Sequence, residues 1–390
     1  MRLDYDDETE TFRAQFVTWL EANLPDPALT VDRPTSSADI PAWARQFQRR
    51  MFDDGWLSPA FPPELGGRNA SLFEQMVYLE ELGRRHVTRS FNPQGLGIVS
   101  ATIVSFGSDD QIRDWAVPIM RAEKTAALGM SEPDAGSDLA ALATRAVLDG
   151  DQFVVNGQKL WASGARHADW CLLLARTDPD APKRKGISYF LMDMSTPGVD
   201  VRPIRNAVGD SHFCEIFLDD VVIPADNLIG AENAGWQVAQ ATLGAERGMT
   251  MLELAERLAH AGFRRLVEAA PVDDPVVADR LAQFEIEITG LRGMCRRVVE
   301  GAAGGPADAS IVKLYYSELL QRLTDFAVEI SGPHAHTALT KPMSSGWESG
   351  SWVLDFVGSW EWTIPGGASE IQRSIIAERG LGLPREPSVA

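Results

Sequence analysis

Cysteine is nearly absent from this sequence: Cys171, Cys214 and Cys295 are the only three in 390 residues. Their odd number and wide spacing argue against a disulfide framework or a thiolate metal site, and fit a reducing compartment. Long apolar runs are missing too, and none reaches the roughly 18 residues of a membrane span. The opening Met1-Arg-Leu-Asp-Tyr-Asp-Asp-Glu is acidic and holds no apolar signal core. Basic charge is scarce, with 36 Lys and Arg against 55 Asp and Glu, a net charge of −19. No basic stripe is left to neutralise a phosphate backbone, which argues against a nucleic-acid partner. There is no internal repeat, and no Gly-x-Gly-x-x-Gly follows a strand, so a plain nicotinamide enzyme is disfavoured. Hydrophobic residues make up 45% of the chain, enough for two or three packed units. A soluble cytoplasmic globular protein is expected.

Phe12, Phe16, Trp19 and Leu20 recur at helical spacing and mark an amphipathic first helix that stops before Pro25. Helical patterns return over Trp43–Met51, Leu72–Leu82, Ile98–Phe106 and Asp110–Arg121, with a loop from Pro59 to Gly67. The texture then changes to short β-type runs at Ala143–Leu148, Gln152–Val155, Trp170–Ala175, Ile187–Asp193, Val199–Ile204 and Cys214–Leu218. Asp-Gly, Asn-Gly, Pro-Gly and Asp-Pro breakers separate them, which suggests a small antiparallel barrel or sandwich. From Trp236 the pattern is helical again: Trp236–Leu266, Pro275–Glu300, Ser310–Ile330, Ser349–Ser359 and Ser369–Glu378, the last stopped by Gly380.

Two segments carry the chemistry. Leu128-Gly-Met-Ser-Glu-Pro-Asp-Ala-Gly-Ser-Asp138 sets small residues and hydroxyls between apolar stretches. Its backbone can approach a polar ligand closely, and Ser131 and Ser137 can donate hydrogen bonds. Asn156-Gly-Gln-Lys-Leu-Trp-Ala-Ser163 reads as an Asn-Gly hairpin turn leading into a strand that presents Trp161 and then Ser163. A flat redox-active ring needs such a pair, one group to stack on and one to bond a ring nitrogen.

Both segments resemble the acyl-CoA dehydrogenases, which carry T/S-E-P-x-A-G-S-D followed by N-G-x-K-x-W-I-T/S. The resemblance spans essentially the whole chain and is dense over Ala126–Gly248 and Gly366–Gly380. It implies an acyl-CoA dehydrogenase-like fold: an N-terminal all-α domain (1–122), a middle antiparallel β-barrel domain (123–230) and a C-terminal four-helix-bundle domain (231–390). It implies FAD as cofactor, with Leu128, Met130 and Ser131 along the ring and ribityl chain. Gly136 and Ser137 fall near the pyrophosphate or the thioester, Trp161 against the ring and Ser163 at N5. Gly366 and Gly367, at the last helix's N-terminus, offer N–H groups to the thioester oxygen or the flavin's pyrimidine edge.

Dehydrogenation at Cα–Cβ needs a carboxylate in an apolar pocket, where its basicity rises toward the working pH. Many members place it just before the last helix, but here that position is Gly366. A minority, including the isovaleryl-CoA type, place it on the first long helix of the C-terminal domain. Leu243-Gly-Ala-Glu-Arg-Gly248 matches that pattern, with Glu246 as the base and Arg247 as a neighbour for the pantetheine end or for charge balance. Glu246 shares a helix face with Ala239, Thr242, Leu243 and Met249; the plain alternative is a helix carboxylate paired with Arg247 or solvated. Gly248 costs about 1 kcal/mol in a helix interior but leaves room for a ligand.

The family's Arg-x-x-Phe-Gly and Gln-x-x-Gly-Gly segments, which hold a neighbour's FAD, have no counterpart here. Arg264–Pro275 lacks the first, and Glu329-Ile-Ser-Gly-Pro333 replaces the second. An acid repels pyrophosphate and proline removes a donor. This resembles bacterial α2β2 heterotetramers acting on steroid side-chain CoA thioesters, with a homotetramer of unusual adenosine contacts as the alternative. Electron-transfer flavoprotein is the implied acceptor. An oxygen-using oxidase or monooxygenase of the same fold and a non-catalytic partner subunit are competing readings. The negative net charge opposes long-range attraction of an anionic CoA, so that site must be locally basic. Lys183-Arg184-Lys185 reads as a solvated turn before a CoA-phosphate site, His334-Ala-His336 as a loop before a metal site, and Asp219-Asp220 as a turn.

Overall fold

The computed structural model describes residues 5–26, 39–246, 249–301, 305, 307–336 and 351–385. First come α1 (Asp7–Asn23), α2 (Ala42–Asp53), α3 (Leu72–Arg84), α4 (Ala101–Phe106), α5 (Asp109–Gln111) and α6 (Val117–Met120). The strands follow: β1 (Ala126–Gly129), β2 (Arg145–Asp149), β3 (Gln152–Lys159), β4 (Trp170–Arg176), β5 (Ile187–Asp193), β6 (Val199–Ile204) and β7 (Phe213–Pro224). Then come α7 (Gly235–Glu246), α8 (Met249–Arg257), α9 (Arg264–Ala269), α10 (Pro275–Val299), α11 (Asp308–Ser331), α12 (Trp352–Ser359) and α13 (Ser369–Ile375). The chain divides into two compact units: Met1–Leu24 with Asn69–Thr88 and Ala245–Ala390, and Pro25–Arg68 with Arg89–Gly244.

In the helical unit, the apolar period decides which faces are buried. Phe12, Phe16 and Leu20 line the buried face of α1, whose first turn is capped by the Asp6 side chain on Thr9 N–H. Ser71 and Glu74 form a reciprocal capping box at the start of α3. Asp274 caps α10, with Pro275 at its first position, and Leu281, Phe284, Ile288 and Leu291 turn inward. The helix expected over Trp236–Leu266 is in pieces, because a π-helical turn at Leu258–Phe263 joins α8 to α9.

The other unit is built on one seven-stranded sheet in the order β1-β4-β2-β3-β7-β6, with β5 on the far side of β4. It is not purely antiparallel, since β1 and β2 both run parallel to β4. Both faces of β4 and β5 are covered, which explains their continuous apolar runs. Cys171, Leu173, Phe190 and Met192 pack in one cluster with Phe153, Val155 and Ile216. Leu172, Leu174, Tyr189 and Leu191 pack on the opposite side with Val99, Ile103, Ile119 and Val238. All three cysteines are buried and free, and burial pushes the Cys171 thiol up to about 12, leaving it inert.

Two turn expectations are corrected. Asn156-Gly157 is no hairpin, and Asp219-Asp220 joins no two strands; both lie inside the β3–β7 ladder and face each other. The register steps from Val155↔Val221 to Gly157↔Leu218, so Asn156 alone opposes Asp219 and Asp220 in a β-bulge. The Asn156 amide donates to Asp220 Oδ1 and its oxygen accepts from Asp220 N–H, both at 2.9 Å. Asp220 takes φ 49°, the left-handed region that Asp tolerates.

Candidate functional site

The end of β1 and the stretch after β3 lie side by side, because Leu160 N–H donates to the Ser131 carbonyl at 2.8 Å. Gly129 is required just before this junction: a Cβ there would sit 2.8 Å from Cys171 Sγ and 2.9 Å from Leu173 Cδ1. Trp161 follows β3 in a loop and not on a strand as expected. Its φ is 62°, unusual for a bulky residue, and it is 54% exposed with its ring edge-on to Phe213. The loop is tied down by paired bonds between Ala162 and Cys214 and by Gly164 N–H on the His212 carbonyl, and it turns at Ser163-Gly164, where Gly164 has φ 70°.

Gly136 and Ser137 occupy the exposed loop between β1 and β2. Nothing lies within 4 Å of a Cβ built at Gly136. A tight turn bonds Glu132 and Ala135 in both directions at 3.1 Å, and Arg176 holds the loop's far side through the carbonyls of Ala140 (2.8 Å) and Leu142 (3.2 Å). Lys183 pairs with Asp138, and Arg184 lies over the Trp236 ring, so two of the three cations of that basic turn are engaged. The structure thus brings Leu128, Met130, Ser131, Trp161 and Ser163 to one junction, with Gly136 and Ser137 on the loop that leaves it.

The sequence reading missed what lies beneath that junction. Glu132 and Lys159 are 7% and 0% exposed and form an ion pair at 2.7 Å. Lys159 Nζ also donates to the Met130 carbonyl at 3.2 Å. Glu132 accepts further bonds from Ala143 N–H (2.6 Å) and Thr144 N–H (2.9 Å). Burial pushes its carboxyl up, but the Lys159 charge and the Ala143 N–H outweigh this and hold it below the usual range. Both residues stand inside the two motifs, and counting by twos from Phe153 and Val155 puts Lys159 on the buried face.

A flavin fits these residues. The hydroxyls of Ser131, Ser137 and Ser163 and the Ser163 N–H have no hydrogen-bond partner among the described residues. Ser131 and Ser163 stand beside an exposed aromatic held in a strained backbone state, an arrangement that packing alone does not call for.

On the helical unit, the Gly366–Gly367 turn precedes α13 with φ values of 66° and 97°. Gln372 Nε2 bonds both glycine carbonyls, at 2.7 and 3.2 Å, and buried Lys313 bonds that of Gly367 at 2.8 Å. Across trans peptides, this directs the N–H groups of Gly367 and Ala368 the opposite way. A Cβ at Gly366 would meet nothing within 4 Å. Glu246 is the last residue of α7, its side chain lies outside the described residues, and Arg247 lies outside them altogether. The side chains of His334 and His336 are likewise outside them, and no cluster of three metal-ligating residues occurs among those described. No described helix is long and apolar enough to cross a membrane.

Comparison with known proteins finds relatives along the chain. Family models for the acyl-CoA dehydrogenase N-terminal, middle and C-terminal domains match residues 6–123, 127–221 and 233–381. Acyl-CoA dehydrogenase IpdE1 of Mycobacterium tuberculosis is 35% identical over 388 residues, covering 97% of this chain and 99% of that protein. Among solved structures, the Tcur3481-Tcur3483 steroid ACAD superposes with a TM-score of 0.85 at 28% identity, over 99% of this chain and 100% of that one. The ChsE4-ChsE5 complex from Mycobacterium tuberculosis gives 0.79 at 28% identity, over 99% and 100%. Sequence motifs, sheet and helical units therefore converge, and the chain belongs to the acyl-CoA dehydrogenase family.

Proposed function

We propose that this acyl-CoA dehydrogenase binds FAD on the Leu128–Ser137 and Trp161–Ser163 segments and dehydrogenates an acyl-CoA thioester at Cα–Cβ, with Glu246 removing the α proton. The observation that carries the cofactor reading is the pair of unpartnered hydroxyls of Ser131 and Ser163 beside exposed, left-handed Trp161. FAD, when bound, supplies the acceptor for the β hydride. The chain's own residues do the rest. Ser163 offers a hydroxyl and an N–H at the ring, Ser137 and Gly136 line the loop toward phosphate or thioester, and Trp161 shields a ring edge. The N–H groups of the Gly366–Gly367 turn, aimed by Lys313 and Gln372, suit a thioester oxygen that gains charge as the α proton leaves. Arg247 balances charge or holds the pantetheine end.

Gly366 supports Glu246 as base, because the position many relatives give to the carboxylate has no side chain here. The same open space admits a bulky acyl group, and the superposable Tcur3481-Tcur3483 protein is named a steroid ACAD. A polycyclic, steroid-type side-chain thioester is the substrate class that both features favour. Both similar structures pair two differently named chains. Glu329 lies in the last turn of α11, where its charge adds to the negative helix end, and Pro333 lacks an N–H. That site repels a pyrophosphate, which favours an α2β2 assembly with an unlike acyl-CoA dehydrogenase chain, passing electrons to electron-transfer flavoprotein.

The decisive variant is Glu246→Gln in the assembled, FAD-loaded protein, mixed with acyl-CoA thioesters without oxygen. Flavin bleaching should fall by about 10³-fold or more, with bound FAD and melting temperature kept. Bleaching at the wild-type rate places the base elsewhere.

A further inference from the structure

The cofactor residues of the β unit sit on three separate pieces of chain: the end of β1, the loop from Glu132 to Thr144, and the stretch after β3. The buried ion pair touches all three. Lys159 Nζ holds the Met130 carbonyl, the Glu132 carboxylate holds Ala143 and Thr144 N–H at the loop's far end, and the 2.7 Å bond between them joins the pieces. We propose that Glu132 and Lys159 are positioning residues for the flavin, fixing these segments so that the Ser131 N–H and the Gly136–Ser137 loop face the cofactor. The inference rests on the flavin reading above and deepens it.

The direction of the Ser131 amide follows from peptide geometry. The Met130 carbonyl points at the buried ammonium, so the Ser131 N–H of the same trans peptide points away from it. That N–H has no partner among the described residues, and Ser131 is only partly buried. On the next peptide, the Ser131 carbonyl is taken by Leu160 N–H. The carboxylate closes the base of the loop that carries Gly136 and Ser137, adding to the Glu132–Ala135 turn, the short turn at Asp138–Leu142 and the grip of Arg176 and Lys183. Stability alone does not explain a fully buried lysine here. Apolar groups of similar volume often replace a buried ion pair without loss, whereas removing one partner strands a charge. Apolar groups cannot hold a carbonyl and two amides in place.

The test compares Glu132→Gln, Lys159→Met and the double variant in the full chain, together with any chain that co-purifies. Melting temperature of the FAD-free protein, FAD dissociation constant and amide exchange are measured on each. The single variants should lose both thermal stability and FAD. The double variant, free of stranded charge, should regain most of the melting temperature while binding FAD about tenfold or more weakly. Its Leu160 amide should exchange faster while those of Phe153 and Val155 stay protected. A double variant that binds FAD like the wild type, or keeps Leu160 protected, overturns the proposal. Should the double variant not fold, near-isosteric Glu132→Gln decides by the same two readouts. A wild-type assembly that binds no FAD removes the flavin reading instead, and the exchange at Leu160 still decides the anchoring.

Discussion

Gly157 is the position where the β3–β7 bulge makes its sharpest demand. Its φ is 154°, and a Cβ there would lie 2.4 Å from Thr144 Oγ1, 2.7 Å from Thr144 Cα and 2.8 Å from Thr144 Cβ. Because the obstacle includes backbone, an alanine forces the start of β2 to move by about 1 Å to reach ordinary contact. Thr144 cannot yield freely: it is buried, its N–H donates to Glu132 at 2.9 Å and its carbonyl accepts from Arg176 N–H at 2.7 Å. Overpacking costs about 1–3 kcal/mol. Weakening a carboxylate bond and a backbone bond adds about 1–3 kcal/mol. Gly157→Ala should therefore destabilise the unit by about 2–6 kcal/mol and lower its melting temperature by about 10 °C. Gly164→Ala is the matched control, since φ is 70° there but nothing lies within 4 Å of the new Cβ. It carries only the left-handed penalty of about 1–2 kcal/mol. Scanning calorimetry of both variants separates contact from conformation. If they melt within about 2 °C of each other, the steric account of the bulge is wrong.

Acid should unfold the helical unit cooperatively. Glu81 and Glu256 are buried, and although burial raises them, Arg13 with Arg84 and Arg85, and His260 with Arg292, hold both below the usual carboxylate range. Their folded values lie below the unfolded value of about 4.3, so their stabilisation is complete above that pH and is lost as pH falls through the folded values. Melting temperature should be level near neutrality and drop steeply in that acid range, with a shallower drop in Glu256→Gln; an unchanged slope in the variant removes Glu256 from the account. Gly366→Glu should fold with a loss of only about 1–2 kcal/mol, since φ is 66° but the space is open, and should favour short acyl-CoAs over polycyclic ones in a competition assay. An unaltered preference would show that Gly366 does not face the acyl group. Gln372→Leu should lower kcat more than it raises KM, by removing its bonds to the turn's two carbonyls and leaving Lys313 on that of Gly367; a change in KM alone would show that the turn binds substrate uniformly.

The helices were legible because burial imposes a period. Phe12, Phe16 and Leu20 name the inner face of α1 without help, and β5 and β6 have the bounds their residues suggest. Failures occur where a local signal serves a distant partner. Ala126–Gly129 has no alternation and becomes β1 only because β4 lies alongside it. Asn-Gly and Asp-Asp carry turn chemistry, and it is used, but each supplies half of one bulge 64 residues apart in sequence. Nor does chain order show that the first and third helices pack with the C-terminal ones.

The candidate site shows the same division. Its surface, the serines, glycines and tryptophan, is written in contiguous motifs because a ligand must be met by neighbouring donors. Its foundation is written as one acid and one base 27 residues apart, each of which alone reads as an ordinary charge. Only burial distinguishes them: a lysine with 0% exposure has to have its partner and its hydrogen bonds in place before the strand can close. The two motifs therefore specify one object. Glu132 is fixed by its own loop, Lys159 by strand parity, and their pairing sets the distance between the segments proposed to meet the cofactor. A substitution at either is consequently expected to disturb Ser131, Gly136 and Ser137 together, even though neither side chain reaches the surface they form.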